Sequence, residues 1–243
     1  MPRPAVLQGG ASRPQDYPYR GFYLLPSSPP SARTRVRRVH QRASYDRDTL
    51  HAVLDAGTLC HVGYVFDGYP VVTPTLYWRE GDAIYWHGSS ASRALRASED
   101  LDVCLTVTHL DGLVLARSAF HHSANYRSAM IFGTARLLTG NAAKLASLKA
   151  MMEGLFPGRW KELRPVNEQE LRATRILWMP LDEASVKIRT GDPVDDDEDM
   201  GDAVWAGVAP FRLTIEALEP DPLTRAATRR PPAITDRLVT PKR

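Results

Sequence analysis

The stretch LCHVGYVFDGYPVVTPTLYWREGDAIYWHGS, residues 59–89, decides the fold class of this chain. Its runs of β-branched and aromatic residues are broken at Asp67-Gly68 and at Glu80-Gly81-Asp82, and both breaks are typical of hairpin turns. The stretch therefore predicts three antiparallel strands in meander order.

A helix and further strands are predicted on either side of this meander. On its N-terminal side, residues 45–57 offer Asp46 as an N-cap and Gly57 as a stop, with Leu50, Val53 and Leu54 at helical spacing. On its C-terminal side, a Ser-rich turn predicts a second short helix over 89–100. Two strand-like runs around Asp111-Gly112 then follow within 101–120, and a further strand within 127–138.

The last third of the folded region predicts two more helices and one long strand. Asn141 is expected to cap a helix that ends at Pro157, with Leu145, Leu148, Met152 and Leu155 on one face. The segment 166–173 predicts a short helix, and 174–191 one long final strand. About six strands in mostly antiparallel order make the chain mainly β, a closed or partly closed β-barrel decorated by short helices.

Length and composition indicate one domain with two extensions. The chain has 243 residues, of which 43% are hydrophobic, so it can bury a single core. Its 19 prolines gather near both ends. We therefore expect a poorly ordered Pro-rich N-terminal extension over 1–32, a domain over 33–219, and a basic Pro-rich tail over 220–243.

The length of its apolar spans and its net charge exclude several classes of protein. No apolar span is long enough for a signal peptide or a membrane helix, so we expect a soluble cytoplasmic protein that does not enter a membrane. The net charge is +3, and it arises mainly from 33–42 and from the Arg-rich residues 225–243, which makes nucleic-acid binding an unlikely main function. Cys60 and Cys104 lie in apolar runs and are expected to be buried and reduced.

Common catalytic and metal motifs are absent from the sequence. It contains no GxGxxG after a strand, no GxxxxGK[ST], no HExxH and no GxSxG. His121 and His122 are adjacent, and on an extended segment their side chains point to opposite faces, so we predict no metal site there. The acidic run 195–199 lacks the spacing of a calcium loop and is expected to be a solvated linker.

Two polar segments suggest a phosphorylated ligand. In WHGSSASRALRA (86–97) a strand ends at Gly88, hydroxyls follow, and Arg93 lies in the first turn of the predicted helix, where free backbone N–H groups favour an anion. Ordinary helix capping by serine is the alternative for this segment. The second segment, 118–128, mixes hydrogen-bond donors with an aromatic ring, and a solvated loop is its alternative.

Several longer motifs together resemble one family. They are RTRVRR (33–38), CHVGYV (60–65), PVVTPTLYWREGDAIYWHGSSASRALRA (70–97), TVTHLDGLVLARSAFHHSANYRSAMIFGTA (106–135), VKIRTGDPVDDDEDM (186–200) and WAGVAPF (205–211). In this order they resemble the flavin-nucleotide-binding branch of the pyridoxamine 5′-phosphate oxidase-like split-barrel proteins. The resemblance runs from about Arg33 to Phe211.

The resemblance implies a split β-barrel homodimer with FMN in two grooves at the subunit interface. The segment VVTPTLY resembles the strand that runs along the isoalloxazine ring, and HGSSASR resembles the turn that contacts the ribityl chain and the phosphate. The implied cofactor-binding residues of these two segments are Val72, Thr73, Pro74, Thr75, His87, Ser89, Ser92 and Arg93.

The segment HHSANYRS resembles the second wall of the same pocket, and WAGVAPF resembles the family's C-terminal Trp motif. The implied contacts are His122, Ser123, Asn125, Tyr126, Arg127, Ser128 and Trp205, although a Trp205 packed in the dimer interface is an equal alternative. Arg93 and Arg127 would neutralise the phosphate, and either His121 or His122 would face the N1 and C2 carbonyl region of the flavin. Lys187 and Arg189 share a face of the final strand and are expected to form a solvated edge outside the site.

The resemblance implies an oxidoreductase that passes hydride or electrons between a reduced nicotinamide or deazaflavin and a small acceptor. No residue is assigned as an obligatory acid or base. Reduction of nitro compounds is an alternative activity. A flavin store or sensor without catalysis, and more distantly a nucleic-acid-binding regulator, are alternatives from other classes.

Overall fold

The structure is a computed structural model that describes residues 28–89, 100–221 and 231–236. Nine strands form one sheet within these residues. They are β1 (Ala43–Ser44), β2 (Leu59–Phe66), β3 (Tyr69–Glu80), β4 (Ala83–Ser89), β5 (Asp100–Leu115), β6 (Ser123–Leu137), β7 (Thr174–Pro180), β8 (Glu183–Arg189) and β9 (Gly207–Pro210). The α-helices of the described residues are α1 (Arg47–Asp55), α2 (Asn141–Leu155) and α3 (Glu168–Ala173).

Six of the strands close into a ring. The order β6-β7-β4-β3-β2-β5 returns to β6 through a direct β5–β6 pairing, and every pairing in the sheet is antiparallel. The prediction of a mainly β chain built as an antiparallel barrel is therefore confirmed. The meander predicted from residues 59–89 is also confirmed as β2, β3 and β4, with Asp67, Gly68 and Gly81 at positive φ in its turns.

Strand β6 is shared between two neighbours on one of its sides. Tyr126 to Phe132 pair with β8, whereas Arg136 and Leu137 pair with β7. The other side of β6 pairs with β5 along nearly its whole length. The ring therefore closes at the C-terminal end of β6, and β8 and β1 branch away from its N-terminal half.

The core lies inside the ring and beneath α1. Ile84, Leu105, Ile131 and Met179 point inwards from four different strands and are fully buried. Asp46 caps α1 through a 2.8 Å hydrogen bond from the Thr49 N–H, as the sequence predicts. Each large aliphatic side chain contributes about 1.5–3 kcal/mol through burial, so the ring and α1 stabilise each other.

The Asp111-Gly112 dipeptide is a bulge in one strand and does not separate two strands. β5 runs continuously from Asp100 to Leu115, with its register shifted between Leu110 and Gly112. β9 approaches closely at this point, because a Cβ on Gly112 would lie 2.7 Å from the Ala209 carbonyl oxygen. The Asp-Gly signal therefore marks a β-bulge where only glycine fits.

Other boundaries also differ from the sequence-based predictions. The predicted final strand over 174–191 is a hairpin of β7 and β8, which turns at Leu181 and Asp182. Gly140, rather than Asn141, precedes the first turn of α2, and its buried residue is Ser147, while the predicted face residue Leu145 is exposed. The predicted helix over 89–100 lies almost wholly outside the described residues.

Candidate functional site

The four β3 residues of the predicted flavin site lie on two faces of the strand. Val72 and Pro74 are exposed on the outside of the ring. Thr73 and Thr75 are half-buried on the opposite face, where Thr73 Oγ1 lies 3.2 Å from Tyr64 Oη. Thr75 Oγ1 lies 3.5 Å from the carbonyl oxygen of His87, so β3 and the end of β4 meet at this point.

His87 lies in a cluster of aromatic rings on β3, β4 and β7. Its ring centroid is 5.9 Å from that of Trp78, which stacks on Tyr85, and Tyr85 in turn stacks on Trp178. The Nδ1 atom of His87 is buried and has no hydrogen-bond partner within the described part of the chain. Burial lowers the pKa of His87, so the neutral imidazole is its favoured form.

The predicted phosphate turn is described only at its beginning. Ser89 is the last residue of β4, and its backbone pairs with Thr174 of β7. Ser92 and Arg93 lie outside the described residues. Their prediction as phosphate contacts therefore stays a prediction.

The second polar segment begins β6. His122 follows a short 3₁₀ turn (Ala119–His121), and its Nδ1 lies 2.9 Å from the Ser118 carbonyl oxygen. Ser123 is exposed, Tyr126 is half-buried, and Ser128 Oγ lies 3.3 Å from the Lys187 carbonyl oxygen. The 118–122 turn and the β6–β8 pairing thus position the backbone of this segment and hold the side chains of His122 and Ser128.

Arg127 forms a two-point ion pair with Asp111. Its Nε and Nη2 donate to the two carboxylate oxygens at 2.9 and 2.8 Å, and both side chains are mostly buried. The bulge in β5 places Asp111 here, beside Arg127 in the adjacent strand. This guanidinium edge is therefore committed to Asp111, whereas the sequence predicts that it contacts phosphate.

We expect Arg127 and Asp111 to stabilise the fold jointly. Arg127→Ala and Asp111→Ala should each lower the free energy of unfolding by about 2–3 kcal/mol, because each leaves a mostly buried charge without its partner. The double variant should lose little more than either single variant, which gives a coupling energy of about 1–3 kcal/mol in urea unfolding. A coupling energy near zero would mean that the pair does not hold the sheet. Flavin affinity, measured on the same three variants, tests the predicted phosphate contact separately.

Asn125 and Arg189 form a buried polar pair that the sequence does not predict. Asn125 is 8% exposed, accepts a hydrogen bond from Arg189 Nη1, and donates to the Gly191 carbonyl oxygen at 3.0 Å. Arg189 is 6% exposed, so the prediction of a solvated edge for this residue is wrong. The cause is that β8 is covered on one side by β1 and on the other by β6.

The acidic run 195–199 is folded against the 117–121 turn and is not a solvated linker throughout. The Asp195 side chain is almost fully buried and pairs with Arg117 Nη1 at 2.9 Å. Burial opposes ionisation of Asp195, but hydrogen bonds from the Arg117 backbone N–H and guanidinium keep its pKa below the ordinary value. Next to this pair, ligand atoms of His121, Asp196 and Asp199 lie within 4.8 Å of one another near the surface.

Trp205 lies outside the ring and is 69% exposed. It precedes β9, and its ring covers Gly207, where a Cβ would lie 2.8 Å from the indole. β9 pairs with β5 from Gly112 to Leu115, so Trp205 is held near the same end of the barrel as Asp111.

Within one chain the two predicted walls of the pocket lie at separate places in the sheet. Pro74, His61, Thr106 and Met130 are directly opposite one another across β3, β2, β5 and β6. Pro74 is therefore three strand spacings, about 14 Å, from Met130, and Tyr126 lies roughly 13 Å further along β6. The path along the curved sheet from Pro74 to Tyr126 is on the order of 20 Å, and β3 and β6 lie on opposite sides of the ring, so we do not expect these two residues to touch one small group within a single chain.

An apolar surface, which we call the outer face, covers the outside of these four strands. Its members share one side of the sheet by strand register and comprise Leu59, His61, Val65, Val72, Pro74, Leu76, Thr106 and Met130. The five large aliphatic residues among them are between 43% and 64% exposed. Contiguous apolar surfaces of this kind are typical of protein–protein interfaces and of ligand-binding grooves.

The comparisons with known proteins agree with this architecture. A family model described as "Pyridoxamine 5'-phosphate oxidase" matches residues 46–188, which is more than half of the chain. The chain belongs to the pyridoxamine 5′-phosphate oxidase family. The predicted family is therefore confirmed, and β2 to β8 are the part of this family member that the model matches. No curated protein matches the chain.

Two solved structures are similar to this family member over most of both chains. The flavocytochrome Anf3 from Azotobacter vinelandii is 48% identical, with 84% of this chain and 96% of that chain covered and a TM-score of 0.82. The FAD and heme binding protein from Mycobacterium smegmatis is 39% identical, with 78% and 94% covered and a TM-score of 0.75. A candidate 5-nitroimidazole antibiotic resistance protein from Bacteroides thetaiotaomicron is 20% identical, with 60% and 86% covered and a TM-score of 0.50, and shares the fold.

No helix among the described residues is long and apolar enough to cross a membrane.

Proposed function

We propose that this chain is a flavoprotein that binds one flavin nucleotide in each of two grooves of a homodimer. The observation that carries the proposal is the outer face, which includes Val72 and Pro74 of the predicted flavin strand and is apolar, exposed and continuous over four strands. The names of the two structures that are 48% and 39% identical, a flavocytochrome and an FAD and heme binding protein, support the choice of cofactor.

A second copy of the chain would join the two walls of the pocket. A symmetric dimer places the same patch of both subunits in contact, so the outer face would pack on itself around a twofold axis. Residues near Tyr126 of one subunit would then approach β3 of the other. The separation of about 20 Å within one chain supports a pocket shared by two subunits.

The flavin remains to be identified chemically. The sequence predicts FMN, whereas the 39% identical structure is named for FAD. Both carry phosphate and the same isoalloxazine ring, so the β3 and β4 contacts proposed here serve either. When bound, the flavin supplies hydride and single-electron transfer, and the protein would orient the ring and limit access of water to it.

We propose an oxidoreductase that takes electrons from a reduced nicotinamide or deazaflavin and passes them to a small acceptor. A flavin store or sensor is the alternative, because no described residue is identified as an acid or base for catalysis. A cytoplasmic location and the lack of nucleic-acid binding remain predictions from the sequence.

One observation favours a more specific function. The chain would be a flavocytochrome, with heme as a second cofactor. The buried Nδ1 of His87 has no partner among the described residues, and burial favours the neutral imidazole, which is the form that ligates metals. The indole of Trp78 lies beside this side chain and continues into a stack with Tyr85, which offers aromatic surface to a planar cofactor. His87 would therefore hold the iron of a heme group, whose potential the protein would tune through this ligand.

The purified full-length protein tests both parts of this proposal. We expect it to be yellow and to release close to one flavin per chain on denaturation, with FMN and FAD separated by chromatography. A pyridine hemochromogen assay should detect heme as well. A colourless protein that neither flavin can reconstitute would contradict the proposal, and a yellow protein that takes up no added heme would restrict it to the flavin.

Anaerobic mixing with NADH, NADPH or a reduced deazaflavin separates an enzyme from a flavin store. Rapid bleaching of the flavin by one of these donors is the result expected for an oxidoreductase. Inertness towards all three donors would favour a storage or sensor protein.

A further inference from the structure

Arg189, at the end of β8, is a buried cation without an acidic partner among the described residues. Its side chain is 6% exposed, and the ion pairs within the described part of the chain do not include it. Burying a charge without a counter-charge costs several kcal/mol, so such a residue calls for an explanation.

Within the described ranges, the hydrogen bonds of Arg189 go to neutral acceptors. Nη1 donates to Asn125 Oδ1 and, at 3.4 Å, to the Gly191 carbonyl oxygen, and Nη2 donates to the Asp192 carbonyl oxygen at 3.2 Å. Nε is buried and has no hydrogen-bond partner among the residues that the structure describes. A guanidinium has five N–H groups, so Nε–H and the second hydrogen of Nη2 are left over from these contacts.

Two other cations, Arg42 and Lys187, lie near this residue. Burial lowers the pKa of Arg189, the Arg42 guanidinium lowers it further, and Tyr126 partly opposes both effects. Lys187 lies two residues earlier on the same face of β8, and its ammonium donates to the Arg38 carbonyl oxygen. The Arg-rich segment 33–42 therefore adds positive charge beside Arg189 and does not compensate it.

Two other arginines in the same chain show what this edge of a guanidinium normally binds. Arg79 uses Nε and Nη2 to hold the carboxylate of Asp55, and Arg127 uses the same two atoms to hold Asp111. Both pairs are side-on and two-pointed, which is the geometry that arginine offers to carboxylate and phosphate. Arg189 has its Nη1 side fixed by Asn125, while the Nε edge lacks such a partner.

We propose that the Nε edge of Arg189, with Arg42 beside it, binds an oxyanion, either a phosphate or a carboxylate group. Asn125 holds the guanidinium in place, and the anion neutralises the buried charge. Thr190, Gly191 and Asp192, which follow Arg189, are exposed, so an anion from solvent would have to reach the buried Nε edge past these residues. This inference does not require that the chain bind a flavin.

Thermal unfolding of the purified full-length chain at constant ionic strength tests the proposal. The probes are inorganic phosphate and acetate, with chloride adjusted to keep the ionic strength fixed. We expect one of the two to raise Tm saturably, by on the order of 3 °C at ten times its Kd. A Tm that neither anion raises above the effect of chloride would overturn the proposal, whatever the flavin content of the protein.

Three variants complete the test. Arg42→Gln should keep the fold and weaken anion binding several-fold, since it removes only the neighbouring charge. Arg189→Gln should abolish the saturable effect, and Arg172→Gln, which removes an exposed arginine from α3, should leave it unchanged. Equal responses of Arg42→Gln, Arg189→Gln and the unmodified chain would show that the anion binds elsewhere and would overturn the assignment. If Arg189→Gln does not fold, the Nε resonance of Arg189 in the unmodified chain should still shift on addition of the anion, and an unmoved resonance would contradict the proposal.

A competition experiment between phosphate and flavin distinguishes the two possible sources of the anionic group, the cofactor and a separate anion. Phosphate that competes with FMN or FAD for the chain would identify the site as the cofactor's phosphate position. Phosphate and flavin that stabilise the chain additively would identify a second, independent anion site.

Discussion

Met130→Asp is expected to convert the proposed dimer into monomers and to remove the flavin from both grooves. Met130 lies on the outer face but outside the predicted flavin contacts, so the substitution acts on association first. Each dimer would bury two new carboxylates without partners, at several kcal/mol each. The dimer dissociation constant should therefore rise by at least about 1,000-fold. Sedimentation velocity and flavin absorbance, measured on the same samples, check both parts.

Leu163→Asp is the matched control for this substitution. Leu163 is 41% exposed, against 43% for Met130, and it lies between α2 and α3, away from the outer face. This variant should remain dimeric and yellow. A Met130→Asp protein that stays dimeric would refute the outer face as the interface, while a monomer that keeps its flavin would place the whole pocket within one chain.

His87→Ala is expected to lose most of the heme while keeping the fold. If His87 is the iron ligand, the Soret absorbance per chain should fall at least about tenfold, because the only proposed protein bond to iron is removed. Free imidazole added to the variant should restore much of this band, since it can occupy the space that the side chain leaves. A residue that serves only in packing would show no such rescue.

His51→Ala is the control for the loss of a histidine. His51 lies on α1, where its Nε2 is 2.9 Å from Asp82, and it is remote from the aromatic cluster around His87. This variant should keep both cofactors. Unchanged heme content in His87→Ala would mean that another histidine ligates the iron. A selective loss of flavin from this variant would favour the sequence-based assignment of His87 to the flavin site.

The barrel is predictable from the sequence because its strands carry strong local signals. Alternating apolar residues and the glycines of two hairpins define β2, β3 and β4, and Asp46 and Gly57 bound α1 correctly. The β7–β8 turn is not predicted, because Leu181-Asp182 contains neither glycine nor a favoured turn pair. At Asp111-Gly112 the same dipeptide that forms hairpins forms a bulge, and only the neighbouring strand β9 decides between them.

The ion pairs around the candidate site depend on contacts distant in sequence. Lys187 and Arg189 alternate with apolar residues and so resemble a solvated face, but β1 and β6 on either side of β8 help to bury the second of them. Asp195 is buried for a similar reason, since it reaches Arg117 from 78 residues away. A local sequence pattern predicts that charged side chains at such positions are solvated, because it does not include the partners that the tertiary structure brings to them.

Because β6 pairs with β8 along most of one side, its pairing with β7, which closes the barrel, is short. The ring closes between β6 and β7 through two residue pairs, Arg136 with Trp178 and Leu137 with Leu177, and one further backbone hydrogen bond from Leu138 to Ile176, whereas β5 and β6 pair along nearly their whole length. Proteins open locally where the fewest contacts hold their elements together. We therefore expect the β6–β7 pairing to open at a lower free energy than the other strand pairings of the ring. Strand β7 also pairs with Ser89 at the entrance to the predicted phosphate turn. Transient separation of β6 from β7 would therefore widen the barrel next to the predicted phosphate turn, where the charged end of a cofactor is expected to bind.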